Sequence, residues 1–216
     1  MREPFYQLQE KMPHGDAMFP LKVHEVSPDS SFEEKVSCHW HEEMEFLIIT
    51  QGHVSVFIDE ECYEAEPGDI IFIPPDSLHS LSGQTGDEVT FFAVDFKPVL
   101  LYSLWKDAIQ QKYLDRLKQG KVVFPTFIRP QEEWQREVYR LLLQIRETYA
   151  EAAAGYELLI KAKLYEIWYL LYRHAVQPSG EEADSGKVRV ELMKEIIAYI
   201  QENYSGQIAL EELAGR

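Results

Sequence analysis

Residues 39–52 read HWHEEMEFLIITQG. The stretch is rich in β-branched and aromatic residues and closes on Gln51-Gly52, a tight-turn signal, so it reads as a strand. Side chains two apart on a strand share a face, which points His39 and His41 together and Trp40 away. If the strand runs on without a bulge, Glu45 joins the histidines. The spacing HxHxxxE then aims three ligand-type side chains at one volume. A fourth, His79, ends GDIIFIPPDSLH (68–79) on a neighbouring strand. Three neutral imidazoles and one carboxylate suit a divalent metal such as Zn, Ni, Fe or Mn, with coordination positions left open. The same four groups can line a pocket for a polar organic ligand, since Glu45 accepts from hydroxyls or pairs with a cation and the histidines donate or accept.

Working outward, the whole stretch from Phe19 to about Phe96 is built of short strands. LKVHEV alternates, and EFLIIT and HVSVFI flank the QG signal as a hairpin. CYEAE follows, then PGD as a turn, then IIFIPP, whose Pro74 and Pro75 must end the ladder. LHSL and VTFFAVDF complete about seven strands. With no helix-length period between them, the expected architecture is an antiparallel barrel or jelly roll. Ahead of it, residues 1–18 mix proline, glycine and polar side chains and read as an extended arm.

Past Pro98 the period changes. Trp134, Val138, Leu141, Leu142, Ile145 and Tyr149 recur at helical intervals, and so do Tyr156, Leu159, Ile160, Lys163, Leu164, Ile167, Trp168 and Leu171. The short connection AEAAAG predicts that these helices pack antiparallel. Two compatible readings follow. The helices cover one flank of the barrel, or their excess apolar surface, with Leu141, Ile145, Leu164, Trp168 and Leu171, joins two copies. QPSGEEADSGK (177–187) reads as a linker. Beyond it Val190, Met193, Ile196, Ile197 and Ile200 mark a third helix, and Leu210 opens a fourth.

Bulk composition sets limits. The 216 residues carry 37 acidic against 21 basic side chains, a net charge of −16. Such a chain repels phosphate backbones and has no basic segment to contact DNA by itself. No apolar run approaches a membrane span, and the first residues lack a secretory pattern, so the expectation is a cytoplasmic protein with no membrane partner. Cys38 and Cys62 are too few for a disulfide framework and read as free thiols on two strands. His14, His24, His53 and His174 read as surface or local structure.

HWHEEMEFLIITQG resembles the first cupin motif, and GDIIFIPPDSLH, with Gly68, Pro74 and His79, resembles the second. The resemblance implies a small double-stranded β-helix with its metal held at His39, His41, Glu45 and His79. It departs at Glu33, Asp76 and Gly83, none of them a ligand position. MKEIIAYIQENYSGQIALEELAGR (193–216) resembles the opening of the helix-turn-helix region of AraC-type transcription regulators, at Ile197, Tyr199, Ile200, Tyr204, Leu210, Leu213 and Ala214. Together these imply a mainly β fold with added α. A cupin-like sensing barrel (19–100) follows the arm (1–18). A helical dimerisation region (101–176), the linker and the start of a helix-turn-helix domain (188–216) come after it. The function implied is a ligand-responsive transcription regulator, not an enzyme, that responds to a small polar effector, acts as a homodimer and requires no cofactor. The recognition helices lie past Arg216, so operator DNA is expected to bind the intact protein and not this chain alone. The alternative is a metal-dependent cupin dioxygenase or isomerase working at the same four residues.

Overall fold

A strand that reads as an unbroken apolar run is buried on both sides, whereas one that alternates has a wet face. MEFLIIT and IIFI are of the first kind, and VSVFI and ECYEA of the second. The computed structural model, which describes residues 8–10, 12–26, 36–83, 88–178, 192–197, 199–200 and 203, shows what that difference builds. Eight strands lie between Leu21 and Phe96: β1 (Leu21–Val26), β2 (Val36–His39), β3 (Met44–Gln51), β4 (Val54–Ile58), β5 (Glu61–Ala65), β6 (Ile70–Ile73), β7 (His79–Gly83) and β8 (Thr90–Phe96). With a ninth strand, β9 (Phe127–Ile128), they form two antiparallel sheets, in the order β1-β8-β3-β6-β9 and β2-β7-β4-β5. That interleaving is the strand order of a jelly roll, the double-stranded β-helix expected from the sequence. The added β9 pairs with β6, so the segment after Pro98 returns to the barrel.

Two expectations need correction. Gln51-Gly52 is not a hairpin, because β3 pairs with β6 and β8 while β4 pairs with β5 and β7. The turn is a corner that carries the chain from one sheet to the other. Gly52 is required there: its φ is +76°, and a Cβ would lie 2.6 Å from the Glu88 carbonyl oxygen. Nor do residues 39–51 form one strand. β2 ends at His39, residues 42–43 bend, and β3 begins at Met44 in the other sheet.

Side-chain parity divides the large sheet into two faces. Phe46, Ile48, Phe72, Phe92, Val94 and Phe96 face outward into one buried cluster with the helices. Leu47, Ile49, Ile71, Ile73, Phe91 and Ala93 face inward into a second cluster with Val54, Val56 and Leu81 of the small sheet. Each fully buried side chain of this size contributes about 1.5–3 kcal/mol.

The helical layer is α1 (Asp115–Lys118), α2 (Glu133–Glu151) and α3 (Tyr156–Arg173). α2 opens on a capping box between Glu132 and Gln135 and ends at Ala152 in a left-handed turn. Trp134 stacks on His174, Gln144 accepts from Lys163, and the Tyr149 ring meets Tyr156. These pairings run in opposite chain directions, which makes α2 and α3 antiparallel as expected. The dimer seam is corrected, however. Leu141, Ile145, Leu164, Trp168 and Leu171 are at most 5% exposed within a single chain and pack on the barrel. They belong to the monomer core. The outward surface of α3 instead presents Leu158 (78% exposed), Leu159 and Tyr169.

Cys38 on β2 and Cys62 on β5 are free and exposed. Among the described residues no helix is long and apolar enough to cross a membrane. Residues 179–191, most of the linker, and Tyr204, Leu210, Leu213 and Ala214 lie outside the described residues. Residues 192–197 are helical, and Lys194 is buried with its Nζ 4.5 Å from the centre of the Trp40 ring.

Candidate functional site

The two faces of the large sheet differ at one end. On the inward face Phe91 and Ala93 are followed by Asp95, and Leu47 is preceded by Glu45. Asp95 and Glu45 sit directly opposite one another on β8 and β3, both buried. From the small sheet, His39 on β2 pairs opposite His79 on β7. His41 comes from the link between the sheets. The break in the expected strand therefore does not scatter the four predicted residues: the sheets close over one another and bring them together.

Each histidine is locked through Nδ1, which donates to a backbone carbonyl: His39 to Ser37 at 2.8 Å, His41 to Glu43 at 3.1 Å and His79 to Ser77 at 3.0 Å. A carbonyl can only accept, so Nδ1 carries the hydrogen and the neutral ring offers its Nε2 lone pair. One atom of each of the three rings lies within 4.8 Å of the others. Glu45 Oε2 lies 3.2 Å from His41 Nε2 and 3.4 Å from His79 Nε2. His79 Nε2 is buried without a hydrogen-bond partner. Lone-pair nitrogens facing a carboxylate need a proton or a cation between them, so this donor set fits a divalent metal ion, with the backbone carbonyls as orienting partners.

The electrostatics follow. Burial pushes the Glu45 carboxyl up, but the His41 and His79 imidazoles beside it outweigh that and hold the group well below the usual carboxylate range. Burial opposes charge on His41 and is outweighed by Glu45, so its imidazole is raised. Burial, with His79 beside it, lowers His39. Asp95 is pushed up to about 7, by burial first and by the Glu45 charge opposite.

The structure adds His14 and His24, expected at the surface, to the cluster. His14, from the arm, is 5% exposed. Its Nε2 lies 3.1 Å from Glu10 Oε2 and its Nδ1 lies 3.0 Å from His24 Nε2. Burial opposes charge on His14, but Asp95 and Glu10 prevail and raise it to about 10. Burial, then His14, lowers His24, whereas the hydrogen bond from His14 lowers Glu10. The arm is thus attached to the barrel. Trp40 N donates to Leu8 O at 2.8 Å and Glu10 N donates to Trp40 O at 2.9 Å. Gly15, at φ +86°, lets the chain turn where a Cβ would collide with the backbone of Phe19 and Leu21. One sequence signal is present: Asp95 interrupts β8, which is otherwise apolar on the inward face. Trp40 is half-buried between the arm and Lys194 and is not in the core.

A cavity of about 580 Å³ opens beside the cluster, lined by arm residues 9–10 and 12–17 and by Pro20, Glu42, Glu43, Lys97 and Val99. It shares Glu10 and His14 with the cluster. Its charged lining is mostly acidic, with Lys97 3.7 Å from Glu42 and 3.8 Å from Glu43.

Residues 28–168 match the family model of the AraC-like ligand binding domain, and the chain belongs to that family. It is similar to an uncharacterized HTH-type transcriptional regulator, YdeC, of Bacillus subtilis (strain 168), with 21% identity over 207 residues, covering 96% of this chain and 69% of the relative. Among solved structures it is similar to a cupin 2 conserved barrel domain protein from Rhodopseudomonas palustris, with 24% identity, 38% of this chain and 55% of that one covered, and a TM-score of 0.31. It is also similar to Bacillus subtilis oxalate decarboxylase, whose structure concerned its Mn(II) centres, with 19% identity, 35% and 25% coverage, and a TM-score of 0.28. The matched part spans about half of the first of these chains and a quarter of the second. The jelly-roll assignment rests on the strand order.

Proposed function

We propose that this chain is the sensing part of a ligand-responsive transcription regulator, with a small polar effector received at His39, His41, Glu45 and His79. The observation that carries this reading is a buried histidine–carboxylate cluster, roofed by the chain's own arm, at one end of a barrel in the AraC-like ligand binding domain family. The acidic cavity lining favours a neutral polyol or sugar, or an amine, over an organic acid. A divalent ion at the four residues would supply positive charge to polarise a bound oxygen. His39, His41, Glu45 and His79 would hold it, and a regulator has no need of turnover there.

A switch requires two states that differ in effector affinity. Trp40 supports such coupling, because its backbone carries the arm and its ring meets Lys194 from the carboxy-terminal segment. An effector that moves the arm would therefore bias the helix that leads toward the DNA-binding part. The intact regulator would bind operator DNA as a homodimer, which gains affinity through effective concentration. Leu158, Leu159 and Tyr169 offer the apolar surface for the second copy.

The test is a titration with sugars, polyols and polyamines followed by tryptophan fluorescence. A saturable change that His41→Ala abolishes, and that Trp40→Phe removes from the signal without removing binding, is expected. Saturable binding that His41→Ala leaves unchanged contradicts the assignment. One observation favours a second reading, a metal-dependent enzyme: the unpartnered Nε2 of His79 beside Glu45. Elemental analysis of untagged protein followed by oxygen-uptake assays tests it. Bound metal with turnover lost on His39→Ala would favour the enzyme, and metal without turnover the sensor.

A further inference from the structure

Three atoms outside the four-residue set form a small triangle. His14 Nδ1 lies 3.0 Å from His24 Nε2, and each of these nitrogens lies 3.4 Å from Asp95 Oδ2. A tetrahedral zinc site with bonds of about 2.0–2.1 Å has ligand–ligand edges of about 3.3 Å. The three edges match that spacing, so one ion can sit within bonding reach of all three atoms with a position left open.

The second observation is independent of these distances. Asp95 is 3% exposed and its Oδ1 is buried without a hydrogen-bond partner. A buried carboxylate is costly unless something positive completes it, and either a proton on His14 or a metal ion shared by the three atoms does so. Glu10 then has a defined part. His14 Nε2–H donates to Glu10 Oε2 at 3.1 Å, which leaves Nδ1 as the lone-pair atom facing His24 and Asp95. A carboxylate that fixes the tautomer of a ligating histidine is the usual outer partner of such sites.

We propose that His14, His24 and Asp95 form a second metal site, for a borderline divalent cation of the zinc class, distinct from the cluster of His39, His41, Glu45 and His79. Two imidazoles and one carboxylate select this class over calcium or magnesium, which require oxygen donors. Its consequence is mechanical. His14 belongs to the arm, His24 to β1 and Asp95 to β8, so the ion fastens the arm to the barrel. Asp95 is also within reach of His41 and Glu45, which makes it the shared wall between the two clusters.

The experiment is equilibrium dialysis of the metal-stripped full chain against Zn²⁺, with hydrogen exchange of residues 8–17 read on the same samples. About one equivalent assigned to this site is expected, lost in His24→Ala and in the bulkier His24→Gln but kept in His39→Ala. Zinc is expected to slow exchange of the arm in wild type and in His39→Ala and to leave the His24 variants unchanged. A thermal melt of each variant without zinc establishes that it is folded. A bound-zinc total that both His24 substitutions leave at the wild-type level overturns the proposal. So does its loss in His39→Ala, which would reduce the two clusters to one, and so does the absence of bound zinc in wild type. None of these outcomes depends on an effector, so the sensor reading is tested separately.

Discussion

The outward and inward faces of the β1-β8-β3-β6 sheet come from the same strands, one residue apart, yet they are built to opposite rules. Outward, the phenylalanines of β3, β6 and β8 pack with the helices into one buried, largely apolar cluster. Inward, half the face is apolar and the other half gathers Glu45, Asp95 and His24 against histidines from the small sheet and the arm. The outward face has one solution, which is to pack. The inward end gathers like charges and imidazoles with buried atoms left unpartnered, and it is there that the proposed effector would be received. Consistency everywhere except at one end of one face is the expected mark of a functional site.

The comparison can be broken most severely from the outward side. Leu142→Ala, at a fully buried position on α2, is expected to destabilise by about 2–5 kcal/mol, a transfer term plus a cavity term. Denaturant unfolding measures it, and effector binding by the remaining folded protein should be unchanged. If binding fell in proportion, the helices would be part of the site and the two faces would not be separable.

On the inward side the order reverses. Glu45→Gln keeps shape and one acceptor, so about 1–2 kcal/mol of stability is at stake, while effector or metal binding should be lost. Removing the negative charge opposite Asp95 should also bring its carboxyl down from about 7, since a like charge is one of the causes holding it there. Carboxyl NMR titration of metal-free protein checks the direction, and an unmoved Asp95 would mean that burial alone sets it.

Much of this division is legible in the sequence. Seven of the eight barrel strands and both long helices follow from period and turn residues, and His39, His41, Glu45 and His79 are recognisable by spacing. What is not legible has physical causes. β2 is absorbed into the histidine strand because the break at 42–43 contains no proline or glycine. Gln51-Gly52 carries the same signal for a hairpin as for a corner. The helix stripes say which side chains are buried but not against what, so the residues offered to a partner copy turn out to face the barrel. His14, His24 and Asp95 lie far apart in sequence, and only strand register brings them together.

Smaller effects sharpen the picture. Trp40→Ala removes the ring that Lys194 meets, a contact of about 0.5–1 kcal/mol. It should leave effector affinity within a few-fold while loosening residues 192–200, as read by limited proteolysis. Equal protease sensitivity in wild type and variant would remove Trp40 from the coupling path. Smallest of all is Glu25→Gln, which breaks the bidentate pair with Arg146 at 2.8 and 2.5 Å between β1 and α2. The Arg146 hydrogen bond lowers the Glu25 carboxyl. The pair's contribution is therefore present above the ordinary carboxylate range and lost as pH falls through the lowered value. Because both groups are well exposed, the effect should stay below about 1 kcal/mol. A chemical-denaturation series from pH 7 to pH 3 on wild type and Glu25→Gln should show the two curves converging at acid pH.

The central claim is that the histidine–carboxylate end of the barrel receives the effector. The most direct measurement is thermal unfolding of wild type and Glu45→Gln, side by side, against sugars, polyols and amines. At about 100 times its dissociation constant a bound effector should raise the wild-type midpoint by about 5–10 °C and leave the variant unmoved. A compound that raises both midpoints equally would place the effector elsewhere and contradict the account.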